Sequence, residues 1–154
     1  MGKMLDVELV RISCDASGAD PGNDLELLGS FWGTTFNEDL IEKPKEVIYS
    51  FPDGPIKLTP GQTVRIGTSA RFALSTPDVD GANEPFKAFL KFGGELFEMD
   101  NPPDDSNDRL DGSFRTISNR DNIGPDTPMN VRIGFDKFGQ EVRADFVVTF
   151  AHHL

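Results

Sequence analysis

The sequence predicts an all-β fold of antiparallel strands, a two-sheet sandwich or jelly roll of about eight strands, and three observations carry that reading. Apolar residues recur at every second position along most of the chain, as they do in strands with one buried face. No stretch long enough for a helix carries an apolar stripe of period 3.6 with capping residues. The fifteen Gly and eleven Pro punctuate the strands at short spacing, and no helical crossover of the kind a parallel sheet requires lies between them.

Taken in order, the first strand begins with Leu5, Val7 and Leu9, and its apolar set then moves to Val10, Ile12 and Cys14. That change of parity predicts a bulge near Leu9-Val10. A second strand runs from Leu25 to Phe36, with Gly29 and Gly33 at positions suited to a bend or a close backbone approach, and a third from Glu46 to Phe51, stopped by Pro52-Asp53-Gly54. Glu38 to Lys45 is short, polar and contains Pro44, so it amounts to one helical turn at most. Behind the Pro60-Gly61 turn, Val64, Ile66, Thr68, Ala70, Phe72 and Leu74 alternate. Phe86, Ala88, Leu90 and Phe92 continue the pattern to a break or bulge at Gly93-Gly94, and Leu96 to Met99 resumes it. Ser113–Ile117, Met129–Phe135 and Val142–Ala151 complete the set. With no repeat and no linker, residues 1–154 read as a single sandwich domain.

Charge narrows the partners. Fifteen basic against twenty-six acidic residues leave a net charge of −11, which opposes attraction to phosphate backbones and excludes nucleic acid. An anionic membrane repels the chain too, unless a bound divalent cation inverts the local potential. No stretch approaches the roughly 20 apolar residues of a membrane span, and the first residues lack the apolar core of a secretory signal. The expectation is a soluble protein, cytoplasmic or exported by a dedicated machine. The single Cys14 falls in an alternating segment and reads as a small core residue.

Three loops concentrate the acids: the first with Asp15, Asp20, Asn23 and Asp24, the second with Asp78, Asp80, Asn83 and Glu84, and the densest from Asp100 to Gly112. Calcium takes six to eight oxygen ligands in flexible geometry, and the first and third loops offer carboxylates, Asn side chains and free carbonyls. Asp, Asn, Gly and Pro are also ordinary turn residues. The metal reading gains from crowding: Asp100, Asp104, Asp105, Asp108 and Asp111 repel one another unless spread into water or neutralised by a cation.

Two segments resemble the C2 domain, the calcium-dependent phospholipid-binding sandwich of protein kinase C and synaptotagmin. Asp20-Pro-Gly-Asn-Asp24-Leu-Glu-Leu is similar to that family's first loop, and Glu98-Met-Asp100 with Asn107-Asp108-Arg-Leu-Asp-Gly112 is similar to its third. Glu98 stands where the family has Asp, Arg109 replaces an aromatic, and Asp111 is an extra residue before Gly112. Glu26-Leu-Leu-Gly29 also resembles a strand of small bacterial sandwich domains attached to pore-forming toxins. The C2 resemblance implies that the first and third loops share one end of the sandwich, with Asp20, Asp24, Asp100 and Asp108 converging on calcium. Asp105, in the densest loop, completes the candidate ligand set.

Catalysis is not expected. His152 and His153 are adjacent near the C-terminus, read as a solvated tail, and would face opposite ways on a strand; no nucleophile elbow or phosphate-cradling glycine loop is present. Phe31 and Trp32 are assigned to core or inter-sheet packing. The functional expectation is a calcium-binding recognition or targeting module directed at a protein, a calcium-dependent membrane or a glycan surface. The alternatives are a metal-free adaptor or cargo domain of a larger assembly or toxin, and a carbohydrate-binding module.

Overall fold

The computed structural model describes residues 2–18, 24–37, 39–75, 88–99, 108–118, 121–137 and 139–154, with Asp108 and Asp111 described by their backbone alone. Within them the strands are β1 Gly2–Ser17, β2 Leu25–Phe36, β3 Glu46–Ser50, β4 Ile56–Leu58, β5 Thr63–Ser75, β6 Phe89–Glu98, β7 Asp108–Ser118, β8 Met129–Lys137 and β9 Gln140–His153. One sheet has the order β5-β1-β9-β8, the other β3-β2-β6-β7, and β4 shares with β3 the edge of β2 that faces away from β6. Every named pairing is antiparallel, as period-two strands joined by short turns require.

The alternation places its apolar members between the sheets. Leu5, Val7, Leu9, Ile12 and Cys14 of β1 are buried beside Val142, Ala144, Phe146 and Val148 of β9. From the other sheet Phe31 meets Phe135 and Phe146 edge-on, each at 5.8 Å between centroids, and Phe92 meets Phe146 at 5.2 Å. Such ring pairs contribute about 0.5–1.5 kcal/mol each beyond the area they bury. At one side the sheets also meet at their edges, where the Thr68 hydroxyl donates to the Ile48 carbonyl at 2.8 Å.

The bulge predicted in the first strand lies between Leu9 and Arg11, where β1 carries one residue more than β9. The extra residue, Val10, lets Leu9 and Ile12 both face the core. β5 answers with an extra residue of its own at the same place, and Gly67 there adopts a φ of 78°.

The structure departs from the sequence expectation at several points. β6 does not break at Gly93-Gly94; its pairing with β2 runs unshifted from Phe36↔Phe89 to Leu27↔Glu98. These glycines admit close neighbours, since a Cβ on Gly94 would stand 2.5 Å from the Ser30 carbonyl oxygen and one on Gly93 2.1 Å from that of Ser113. The predicted bulge appears in the pairing with β7 instead, between Gly94 and Leu96. β4 was not expected, because three residues are too few for alternation to register. The third acidic loop ends sooner than its composition suggested, as Asp108–Gly112 already belong to β7.

Described residues between Asn37 and Lys45 form no helical turn. The Asn37 side-chain oxygen accepts from the Asp39 and Ile41 amides, and Leu40 sits at a φ of 60°. His152 and His153 are exposed but lie within β9, opposite Met4 and Lys3, rather than in a free tail. Phe31 is core as expected, whereas Trp32 turns to the outer face. There its ring meets Phe114 at 4.8 Å across Gly93, and the Lys45 ammonium stands 4.0 Å from its centroid.

Candidate cation site

The topology decides which loops share an end. β1 finishes at Ser17, whose partner Gln140 begins β9, and loop one leads from there to Leu25 at the start of β2. β6 runs antiparallel to β2, so it finishes at Glu98 opposite Leu27, and Asp108 opens β7 opposite Glu98. The ladder runs one residue further, with the Met99 amide donating to the Glu26 carbonyl at 2.8 Å. The strand ends that carry loops one and three therefore stand side by side. Loop two departs from Ser75, the partner of Gly2, and returns at Phe89, the partner of Phe36, at the opposite end.

A buried polar contact ties the two sheets together at the strand ends from which loops one and three depart. Gln140 from β9 donates through Nε2 to Oε2 of Glu98 from β6, and the two residues are 6% and 2% exposed. The Gln140 carbonyl, Oε1, is buried with no hydrogen-bond partner. An amide oxygen held this way costs about 1–3 kcal/mol unless something pairs with it, and amide carbonyls are among the ligands calcium accepts. The described polar side chains buried at this end thus offer oxygen rather than nitrogen or sulfur as the free donor.

Of the expected ligands, Asp24 lies half-buried directly before β2, and Asp108 is placed by its backbone at the first pair of β7. Asp20, Asp100 and Asp105 fall outside the described residues, as do Asp78, Asp80, Asn83 and Glu84 of loop two. Among the described residues no three His, Cys, Asp or Glu side chains stand close enough to hold a metal. Asp15, counted with loop one by composition, lies in β1 and is occupied by Arg143, with Nη2 to Oδ1 at 2.6 Å and Nε to Oδ2 at 2.5 Å. Cys14 is buried, and burial foremost, with the Asp15 charge second, pushes its thiol above the ordinary range.

Sequence reasoning passed over Gln140. The signal was present: Gln140 stands on the inward parity of Val142, Ala144, Phe146 and Val148, where an amide needs a buried partner. Glu98 was noticed as a departure from the C2 pattern. Its longer side chain reaches the opposite sheet.

Among the described residues no helix is long and apolar enough to cross a membrane. No protein-family model matches the chain, and no curated protein matches it in sequence. Among solved structures, the first-lettered (A) C2 domain of plant extended synaptotagmin 1 aligns over 99% of this chain and 96% of that one, with a TM-score of 0.50 and 12% identity. Human GIVD cytosolic phospholipase A2 aligns over 98% of this chain but 16% of its own, with a TM-score of 0.47 and 12% identity. Its complex with methyl gamma-linolenyl fluorophosphonate gives 97%, 17%, 0.47 and 10% for the same quantities. At such identities the likeness concerns the backbone, and what it establishes is that this chain has a C2-like fold, an antiparallel sandwich of two sheets.

Proposed function

We propose that residues 1–154 form one non-enzymatic module that binds calcium between loops one and three and recognises a partner surface through the loaded loops. The observation that supports this most is the common end of the two loops, underlain by the buried Glu98–Gln140 contact. Asp20, Asp24, Asp100, Asp105 and Asp108 are the proposed ligands, Asp24 and Asp108 from the roots of the loops. Calcium would offset the mutual repulsion of acids in a chain of net charge −11 and give this end a reason to meet an anionic surface only when loaded.

Thermal melts in calcium and in chelator test the reading. A ligand that binds only the folded state at 100 times its Kd stabilises by about 2.7 kcal/mol, which for a domain of this size raises Tm by roughly 5–10 °C. Coincident melts at millimolar calcium would exclude it. Flotation with anionic liposomes then separates targets: recovery only in calcium assigns a membrane, and none assigns a protein or glycan.

A second reading, a metal-free adaptor, is favoured by the exposed apolar side chains of Leu40, Ile41 and Val47. It requires a partner that binds equally well in chelator and is lost in Ile41→Ser.

A further inference from the structure

We infer that the outer face of the β5-β1-β9-β8 sheet binds a soluble phosphate monoester through Arg65 and Arg11, independently of calcium. The register of these strands makes one cross-strand row there: Arg65 pairs with Arg11, Arg11 with Asp145, and Asp145 with Arg132. Along their strands these residues alternate with core side chains such as Ile12, Ala144, Phe146 and Ile133, so the row faces solvent. Three guanidiniums against one carboxylate leave two positive charges in excess, in a chain where acids outnumber bases by 26 to 15.

The other arginines of this face are matched to acids. Arg71 has Asp6 at 2.8 Å, Arg143 has Asp15, and Asp145 is shared by Arg132 at 2.8 Å and Arg11 at 3.5 Å. Arg65 is exposed and has no acidic partner among the described residues. Like charges directly opposite in an antiparallel pair are destabilising, because their Cβ atoms stand about 4.5–5.5 Å apart. Coincident bulges set Arg65 and Arg11 in that relation, with Val10 extra against β9 and with Ile66 and Gly67 of β5 opposite Val10 alone. Without the extra residue in β1, position 11 would share the inward parity of Leu9.

A phosphate monoester fits the row in charge and shape. Its dianion matches the excess of two, and its three oxygens accept from two guanidinium forks at once. Beside Arg11, a depression of about 380 Å³ lined by Val10, Asn130, Arg132, Asp145 and Val147 leaves room for the group that carries the phosphate. An extended polyanion or an anionic bilayer meets the whole chain's charge of −11, whereas one small dianion responds to charges within a Debye length, about 8–10 Å.

The test uses the whole chain in chelator, read by backbone amide chemical shifts. The probes are inorganic phosphate, phosphoserine, and a glycine-flanked phosphoserine peptide beside its unphosphorylated form. The expected result is saturable shifts around residues 10–12, 64–67 and 145–147 with each phosphorylated probe and none with the unphosphorylated peptide. Arg65→Gln, at an exposed position, weakens binding about tenfold, the loss of one charge-assisted contact. Arg71→Gln removes the same charge from the same strand and changes affinity by less than about twofold, because its charge is already matched by Asp6. Tighter binding of the peptide than of phosphoserine assigns a phosphorylated protein side chain, and equal binding a small phosphorylated molecule. No saturable shift at millimolar phosphate, no loss in Arg65→Gln, or equal losses in the two variants overturns the inference. Retention on phosphatidic acid vesicles that Arg65→Gln abolishes, without a response to the soluble probes, assigns a lipid surface and overturns it as well.

Discussion

Truncating Phe31 to alanine removes a ring that is 0% exposed and faces Phe135 and Phe146 from the opposite sheet. The loss combines the transfer free energy of the ring with the cavity it leaves, about 3–5 kcal/mol for a buried Phe. At roughly 2–4 °C per kcal/mol for this chain length, Tm falls by roughly 6–20 °C. Phe31→Leu refills most of the space and forfeits the two edge-on contacts, a loss of about 1–3 kcal/mol. The neighbouring Trp32 is larger, yet it packs on the outer face against Phe114 and Lys45, so Trp32→Ala costs about 1–2 kcal/mol. Urea unfolding read by far-ultraviolet circular dichroism gives the three values, provided the m-value stays constant. If Trp32→Ala costs as much as Phe31→Ala, the assignment of alternate β2 residues to core and surface is wrong, and the sandwich with it.

Other expectations follow from single sites. Gly94→Ala forces a Cβ to within 2.6 Å of the Phe31 ring and 2.5 Å of the Ser30 carbonyl, so urea unfolding loses at least about 1–3 kcal/mol; a neutral result would return the glycine pair to a turn. Leu40→Gly relieves a left-handed conformation worth about 1–2 kcal/mol against a glycine entropy penalty of about 0.4–1 kcal/mol, so Tm holds or rises, and a clear fall would contradict the loop geometry. Because the folded-state pKa of Cys14 is raised, its stabilising contribution is complete below the ordinary thiol value and is lost as pH climbs through the folded one. Native Cys14 therefore resists thiol reagents near pH 8 and reacts on unfolding; rapid labelling of the native state would refute its burial.

What the sequence disclosed and what it concealed divide along physical lines. Where one face of a strand is buried, alternation reports it: β2 was bounded at Leu25 and Phe36, and the parity change at Leu9-Val10 marked a bulge two strands deep in its effects. β4 stayed hidden because three residues carry no period. Gly93-Gly94 misled because a glycine that admits a neighbour and a glycine that ends a strand look alike in sequence. Phe31 and Trp32 could be separated only by knowing which parity of β2 faces the core.

At the candidate site, the shared end of loops one and three was implied by a resemblance and is carried in the structure by the register of β2, β6 and β7. The acids announced themselves by number. Gln140 did not, since a single neutral amide carries no charge pattern, and its partner Glu98 is forty-two positions away in sequence and adjacent only across the two sheets.

The most direct test of calcium binding between loops one and three is a calcium titration of isotopically labelled protein followed by backbone amide chemical shifts. Calcium held between loops one and three moves the amides of residues 18–24 and 99–108 together, with saturation at one stoichiometry, while those of residues 76–87 stay fixed. Shifts confined to residues 76–87, or none at millimolar calcium, would contradict it.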